Sequence, residues 1–147
     1  MIRILVISIL IFFSLHRSFS QEIKKEIVYL LFEKNNGQYN KSLGKKFINE
    51  KGVNFNLYKH YFTHEKGMQR DTLCLWHLKD YKITKEEDLK ALEKEWRRKN
   101  EAALKKRYIL YKQLDRNAVF DIRIIEKIND RKIVISQAIF RNEGAID

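Results

Sequence analysis

Hydrophobic and polar positions along this chain follow two rhythms, one of period about 3.6 and one of period 2, and the longest helical stretch runs from Thr84 to between Arg107 and Leu114. At about 100° per residue, Leu89, Leu92, Trp96, Ala103, Leu110, Tyr111 and Leu114 fall on one side of that helix, interrupted by Asn100 and Arg107. Thr84 followed by Glu87 reads as a capping box, and Glu86, Glu87 and Asp88 favour the positive end of the helix dipole. Glu86–Lys90, Glu93–Arg97, Glu95–Lys99 and Glu101–Lys105 are acid-first i,i+4 pairs worth roughly 0.2–0.5 kcal/mol each. That sum cannot hold a helix by itself, so the apolar side must pack on something.

The period-2 stretches supply what it would pack on. Ile27 to Phe32 is apolar on both faces and stops at Asn35-Asn36-Gly37, which predicts a buried strand central in a sheet. Leu43, Phe47 and Ile48, with Ser42 ahead and Gly52 behind, predict a short helix over 42–51. Val53, Phe55 and Leu57 alternate with Asn54 and Asn56, predicting a strand from Val53 to about Thr63 that pairs as a hairpin with a second over 72–78. Val119–Ile128 and Lys132–Phe140, separated by Asn129-Asp130-Arg131, carry the strongest hairpin signal, although that turn lacks glycine. A frayed tail is expected after Arg141. The order predicts an α+β fold: a mainly antiparallel sheet of about five strands covered on one face by one long helix, plus a short helix.

The first twenty residues stand apart. Arg3, an apolar run from Ile4 to Leu15 and small residues at Ser18 and Ser20 predict a signal peptide over 1–20, leaving a single domain over 21–147. The run is well short of the roughly 20 residues that span a bilayer, so a transmembrane protein is not expected. The expected destination is the periplasm, the cell surface or the medium. Two of the 30 basic residues, Arg3 and Arg17, lie in the leader, so the remainder carries 28 against 19 acids, a formal +9. Such a charge attracts polyanions, although abundant Lys, Ile and Asn also arise from an AT-rich coding sequence without selection for binding. A lone thiol forms no internal disulfide, and Leu73, Leu75 and Trp76 around Cys74 predict that it is buried and inert.

Chemistry-bearing groupings are few. His60 and His64, with His77 in the next apolar run, are the only candidates for a metal site and for a metal-dependent hydrolase. On a strand, however, an i,i+4 pair lies about 13 Å apart, so His77 would have to cross over to one of them. No phosphate-cradling glycine loop, nucleophile elbow or paired-cysteine spacing is present, so no cofactor and no catalytic residue is assigned. Lys90, Lys94, Arg97, Arg98 and Lys105 fall within a sector of about 100° on the outer side of the predicted helix, and form the candidate ligand-binding surface. The functional expectation is a non-catalytic exported binding module for a polyanion or another exported protein, an inhibitor or immunity-type role included.

Overall fold

The structure, a computed structural model, describes residues 23–32, 45–57, 60–106 and 114–141. The predicted signal peptide, the Asn35-Asn36-Gly37 stop, Leu110, Tyr111 and the tail after Arg141 lie outside these residues. Seven strands form one mixed sheet: β1 (Glu26–Phe32), β2 (Lys45–Asn49), β3 (Gly52–Leu57), β4 (His60–Glu65), β5 (Arg70–Cys74), β6 (Phe120–Lys127) and β7 (Lys132–Arg141). The helices are short: α1 (Leu89–Lys99), α2 (Glu101–Lys106) and α3 (Arg116–Val119), with 3-10 turns at Leu75–Asp80 and Glu86–Asp88. The fold is therefore α+β, but the expected five-stranded antiparallel sheet under one long helix is not what forms.

β7 is the hub. Along one edge it pairs with β6, Ile122 opposite Ala138 through Lys127 opposite Ile133, as the predicted hairpin. Its turn manages without glycine because the Asn129 side chain accepts from the backbone N–H groups of Arg131 and Lys132, both at 2.9 Å. The other edge of β7 is shared end to end, β5 taking 132–136 and β4 taking 139–141. β5 therefore does not form a hairpin with the strand before it, and the apolar run 72–78 splits into strand and 3-10 turn at Leu75.

β1 was expected at the centre. Among the described residues it pairs in parallel with β6 alone, and its other edge meets only a bridge from Tyr29 to Ile83. Both of its faces are nevertheless covered, which is why its sequence reads as central: Val28, Leu30 and Phe32 face one core, Tyr29 and Leu31 the other. The larger core lies inside the curl of the sheet, where β3 and β4 bring Phe55 and Phe62 over β1, β6 and β7, with Leu89, Trp96 and Leu104 from the helices. Phe32 and Phe55 meet edge to face with centroids 5.3 Å apart, and Lys46 of β2 reaches Glu126 of β6 at 2.6 Å. The second core, Ile125, Ile133 and Ile135, is covered by Leu75, Leu78, Tyr81 and Ile83 rather than by a helix face.

Two other expectations fail for local reasons. Residues 45–49 of the predicted short helix form β2, paired antiparallel with β3, while 42–44 lie outside the described residues. Asn49 turns the chain there: its Oδ1 accepts from the N–H groups of Lys51 and Gly52 at 3.0 and 3.1 Å. The predicted strand over 53–63 is two antiparallel strands, β3 and β4.

The long helix is broken. Thr84 does not cap it, because its N–H donates to the Tyr29 carbonyl at 2.8 Å, and Lys85 precedes the first turn without a side-chain cap. The helical stretch of 14 residues ends at Asn100, whose backbone and side-chain N–H groups both reach the Trp96 carbonyl, at 3.0 and 2.9 Å. Beyond it, α2 restarts with the Leu104 N–H donating to the Asn100 carbonyl. Among the described residues no helix is long and apolar enough to cross a membrane.

Candidate functional site

Strong helix formers, Leu-Lys-Ala-Leu-Glu-Lys-Glu-Trp-Arg-Arg-Lys, build α1, and two anchors set its rotation. Leu89 is 1 % and Trp96 4 % exposed, and the indole Nε1–H donates to the Lys24 carbonyl at 3.1 Å. With that side held, Lys90, Lys94 and Arg98 are exposed on α1. Spaced four residues apart, they rise about 6 Å per step along the axis. Among the described residues none of the three makes an ion pair.

The other two members of the predicted stripe stand differently. Arg97 is only 8 % exposed, with its Nε and Nη2 on Glu93 Oε1 and its Nη2 on the Leu114 carbonyl at 2.7 Å. Lys105 is exposed but lies 2.7 Å from Glu101. Three of the four expected i,i+4 pairs are present, Glu93–Arg97, Glu95–Lys99 and Glu101–Lys105. Hydrogen bonding to Lys99, and then its charge, hold the Glu95 carboxyl below its ordinary range, and Lys105 does the same for Glu101.

The fourth pair is replaced by something sequence spacing does not show. Glu86 turns away from Lys90 to the Nδ1 of His60 on β4. The Nε2 of the same imidazole lies 2.7 Å from Arg116 Nη1 at the start of α3. Arg116 Nε in turn donates to Glu93 Oε2 at 3.0 Å, and its guanidinium sits 4.6 Å from the Phe140 ring centroid. A relay of polar and charged groups, Glu86, His60, Arg116, Glu93 and Arg97, thus joins β4, the first helical turn, α3 and α1. Its links between elements span 23 to 56 positions of the chain, so periodicity carries no trace of it.

The three candidate metal ligands are not brought together. His60 belongs to that relay. His64, 7 % exposed, sets its Nδ1 2.8 Å from the Gln137 carbonyl, and His77 pairs with Asp80 at 3.2 Å and stacks on Trp76. Among the described residues no group of three or more His, Cys, Asp or Glu is placed to hold a metal ion. Cys74 is exposed, not buried as expected, because it closes β5 just before the chain turns into the 3-10 segment, where Leu75 and Leu78 face inward and Trp76 stays 61 % exposed. No protein-family model, curated protein or solved structure matches this chain.

Proposed function

We propose that this chain is an exported, non-catalytic binding protein that docks a polyanion along the row Lys90, Lys94 and Arg98. The observation that supports it is three cations, without an ion pair among the described residues, evenly spaced on one helix that Leu89 and Trp96 fix against the core. Neighbouring bases are neutralised by Glu93, Glu95 and Glu101, so the row is a local excess of charge and not an average property of the surface. The leader over 1–20 supports export. Binding through three cations to a duplex backbone gives a log–log salt slope of about −2.7, and about −2 for a single strand.

The test compares two triple variants on a polyanion column. Lys90→Glu/Lys94→Glu/Arg98→Glu is expected to elute at much lower salt, with an unchanged far-ultraviolet dichroism spectrum. Lys25→Glu/Lys51→Glu/Lys66→Glu carries the same change of net charge at other exposed lysines and is expected to elute close to the parent. Equal loss in both variants means that net charge alone retains the protein, and it removes the assignment.

A further inference from the structure

We propose that His60 is a pH-responsive latch, whose protonation expels Arg116 and cuts the tie between β4 and α3. A neutral imidazole has one N–H and one lone pair, and here each faces a partner that accepts only one of them. The Glu86 carboxylate at Nδ1 is an acceptor, and the Arg116 guanidinium at Nε2 has donors only. The proton of the neutral ring therefore sits on Nδ1, and the lone pair of Nε2 receives Arg116.

Protonation converts Nε2 into a second donor, aimed at another donor 2.7 Å away, with cation facing cation. One contact must go. The close contact with the Glu86 carboxylate becomes an ion pair when the ring is charged, whereas the bond from Arg116 turns repulsive, so the imidazole stays and the guanidinium leaves. Among the described residues the ring is faced by Glu86 from the 3-10 turn, Arg116 from α3, and the Phe62 and Phe140 rings of β4 and β7, with centroids 6.4 and 5.3 Å from that of the imidazole. Behind Arg116, Glu93 and Arg97 of α1 complete the charge array. The pair is shielded enough to matter, since the side chains of His60 and Glu86 are only 15 % and 12 % exposed.

On release, Arg116 keeps Glu93 as its remaining anion, and α3 keeps Asn117, whose side chain bonds both the N–H and the carbonyl of Phe140. The change is therefore local: an arginine set loose at one end of a four-residue helix while the sheet stays paired. Histidine is suited to this because its charge changes between about pH 5 and 8.

The full-length chain is titrated by NMR from about pH 7.5 to about pH 5.5, a range that brackets the ordinary histidine value and lies above the ordinary carboxylate values. At the upper end the His60 ring is expected to show its proton on Nδ1. As it charges, the Arg116 side-chain N–H is expected to exchange on the order of tenfold faster with the same midpoint, after correction for the intrinsic rate. His64 beside the Gln137 carbonyl and His77 beside Asp80 lie elsewhere in the fold, and their ring signals serve as internal references. His60→Gln keeps a donor and an acceptor but cannot charge, and in it the Arg116 signal is expected to stay flat. A proton already on Nε2 at the upper end, an Arg116 signal indifferent to His60, or an undiminished response in His60→Gln overturns the latch. Should His60→Gln not fold, the parent titration alone decides.

Discussion

The Nδ1 of His64 lies 2.8 Å from the carbonyl oxygen of Gln137, at the point where β7 passes from one partner strand to the next. Thr63 is the last residue of β4 opposite β7 and Arg70 the first of β5, so the intervening chain loops out and β7 loses its regular ladder there. The Gln69 carbonyl takes the N–H of Gln137, and the imidazole donates to its carbonyl. A side chain thus fills a position that backbone holds elsewhere in the strand. His64→Ala leaves that acceptor unsatisfied beside a cavity, and is expected to cost about 2–3 kcal/mol in chemical denaturation. His64→Gln, able to donate from a similar reach, is expected to recover part of it.

Gly52 permits the approach of two strands. Its φ is +150°, and a Cβ there would stand 2.1 Å from the His64 carbonyl oxygen, a backbone atom that cannot step aside. Gly52→Ala is expected to destabilise by about 2–4 kcal/mol, because strain at the turn adds to the collision. Gly67, with φ +88° and open space around it, is the control: Gly67→Ala carries strain alone and is expected to cost about 1 kcal/mol.

Asn117 ties α3 to the last turns of β7 through a matched pair of bonds, from the Phe140 N–H to Oδ1 at 2.7 Å and from Nδ2 to the Phe140 carbonyl at 2.9 Å. Asn117→Asp keeps the acceptor and loses the donor, whereas Asn117→Ala loses both. Thermal melts are expected to rank parent above Asp above Ala, with about 2 kcal/mol between the extremes.

Two pH effects follow from the direction of the shifts. Burial, then the charges of Tyr29, Asp80 and Asp71, raise the Tyr81 phenol, and burial raises Tyr61 against the pull of Arg141. A folded-state pKa above the unfolded one favours the neutral phenol, so this stability is complete below the unfolded-state pKa and is lost as pH rises through the folded value. Phenolate absorbance is expected to show a late-ionising fraction, which moves earlier in Asp80→Asn. Glu95 and Glu101 shift the other way: their contribution is present above the unfolded-state carboxyl pKa and fades as pH falls through the folded one. Both carboxylates are open to solvent, so the expected sign is fraying of α1 and α2 in acid, seen as faster amide exchange near Asn100 with little change in the global melt.

Reading the sequence succeeds where a residue's neighbours in the chain are also its partners in space. The β6–β7 hairpin and the inward side of α1 are of that kind, and Trp96 and Leu89 stand where the wheel puts them. It fails where pairing is remote. The unbroken apolar run of β1 reports two covered faces but not that β6 lies beside it in parallel, and Phe47 and Ile48 suit a helix as well as the strand β2. The division into β3 and β4 hides because no glycine, proline, Asn or Asp marks the sequence between Leu57 and His60. Thr84 has the residues of a capping box, yet Tyr29, 55 positions earlier, claims its N–H. On the outer helix face, five bases lie in one sector by wheel geometry, but only coordinates show that Glu93 and Leu114 withdraw Arg97 from it.

β7 gives the chain an order of events during synthesis. β4, β5 and β6 all lean on it, and β1 waits for β6, its partner from Glu26 to Phe120 onwards. While residues beyond about 131 are still inside the ribosome, the emerged strands have no common neighbour, and β1 has been exposed since the start. A nascent chain of this kind cannot complete its sheet until β7 has emerged, and its many distant pairings place it among slow folders. Such a delay leaves its isoleucine-rich strands uncovered, and open to association with other chains, over the same interval.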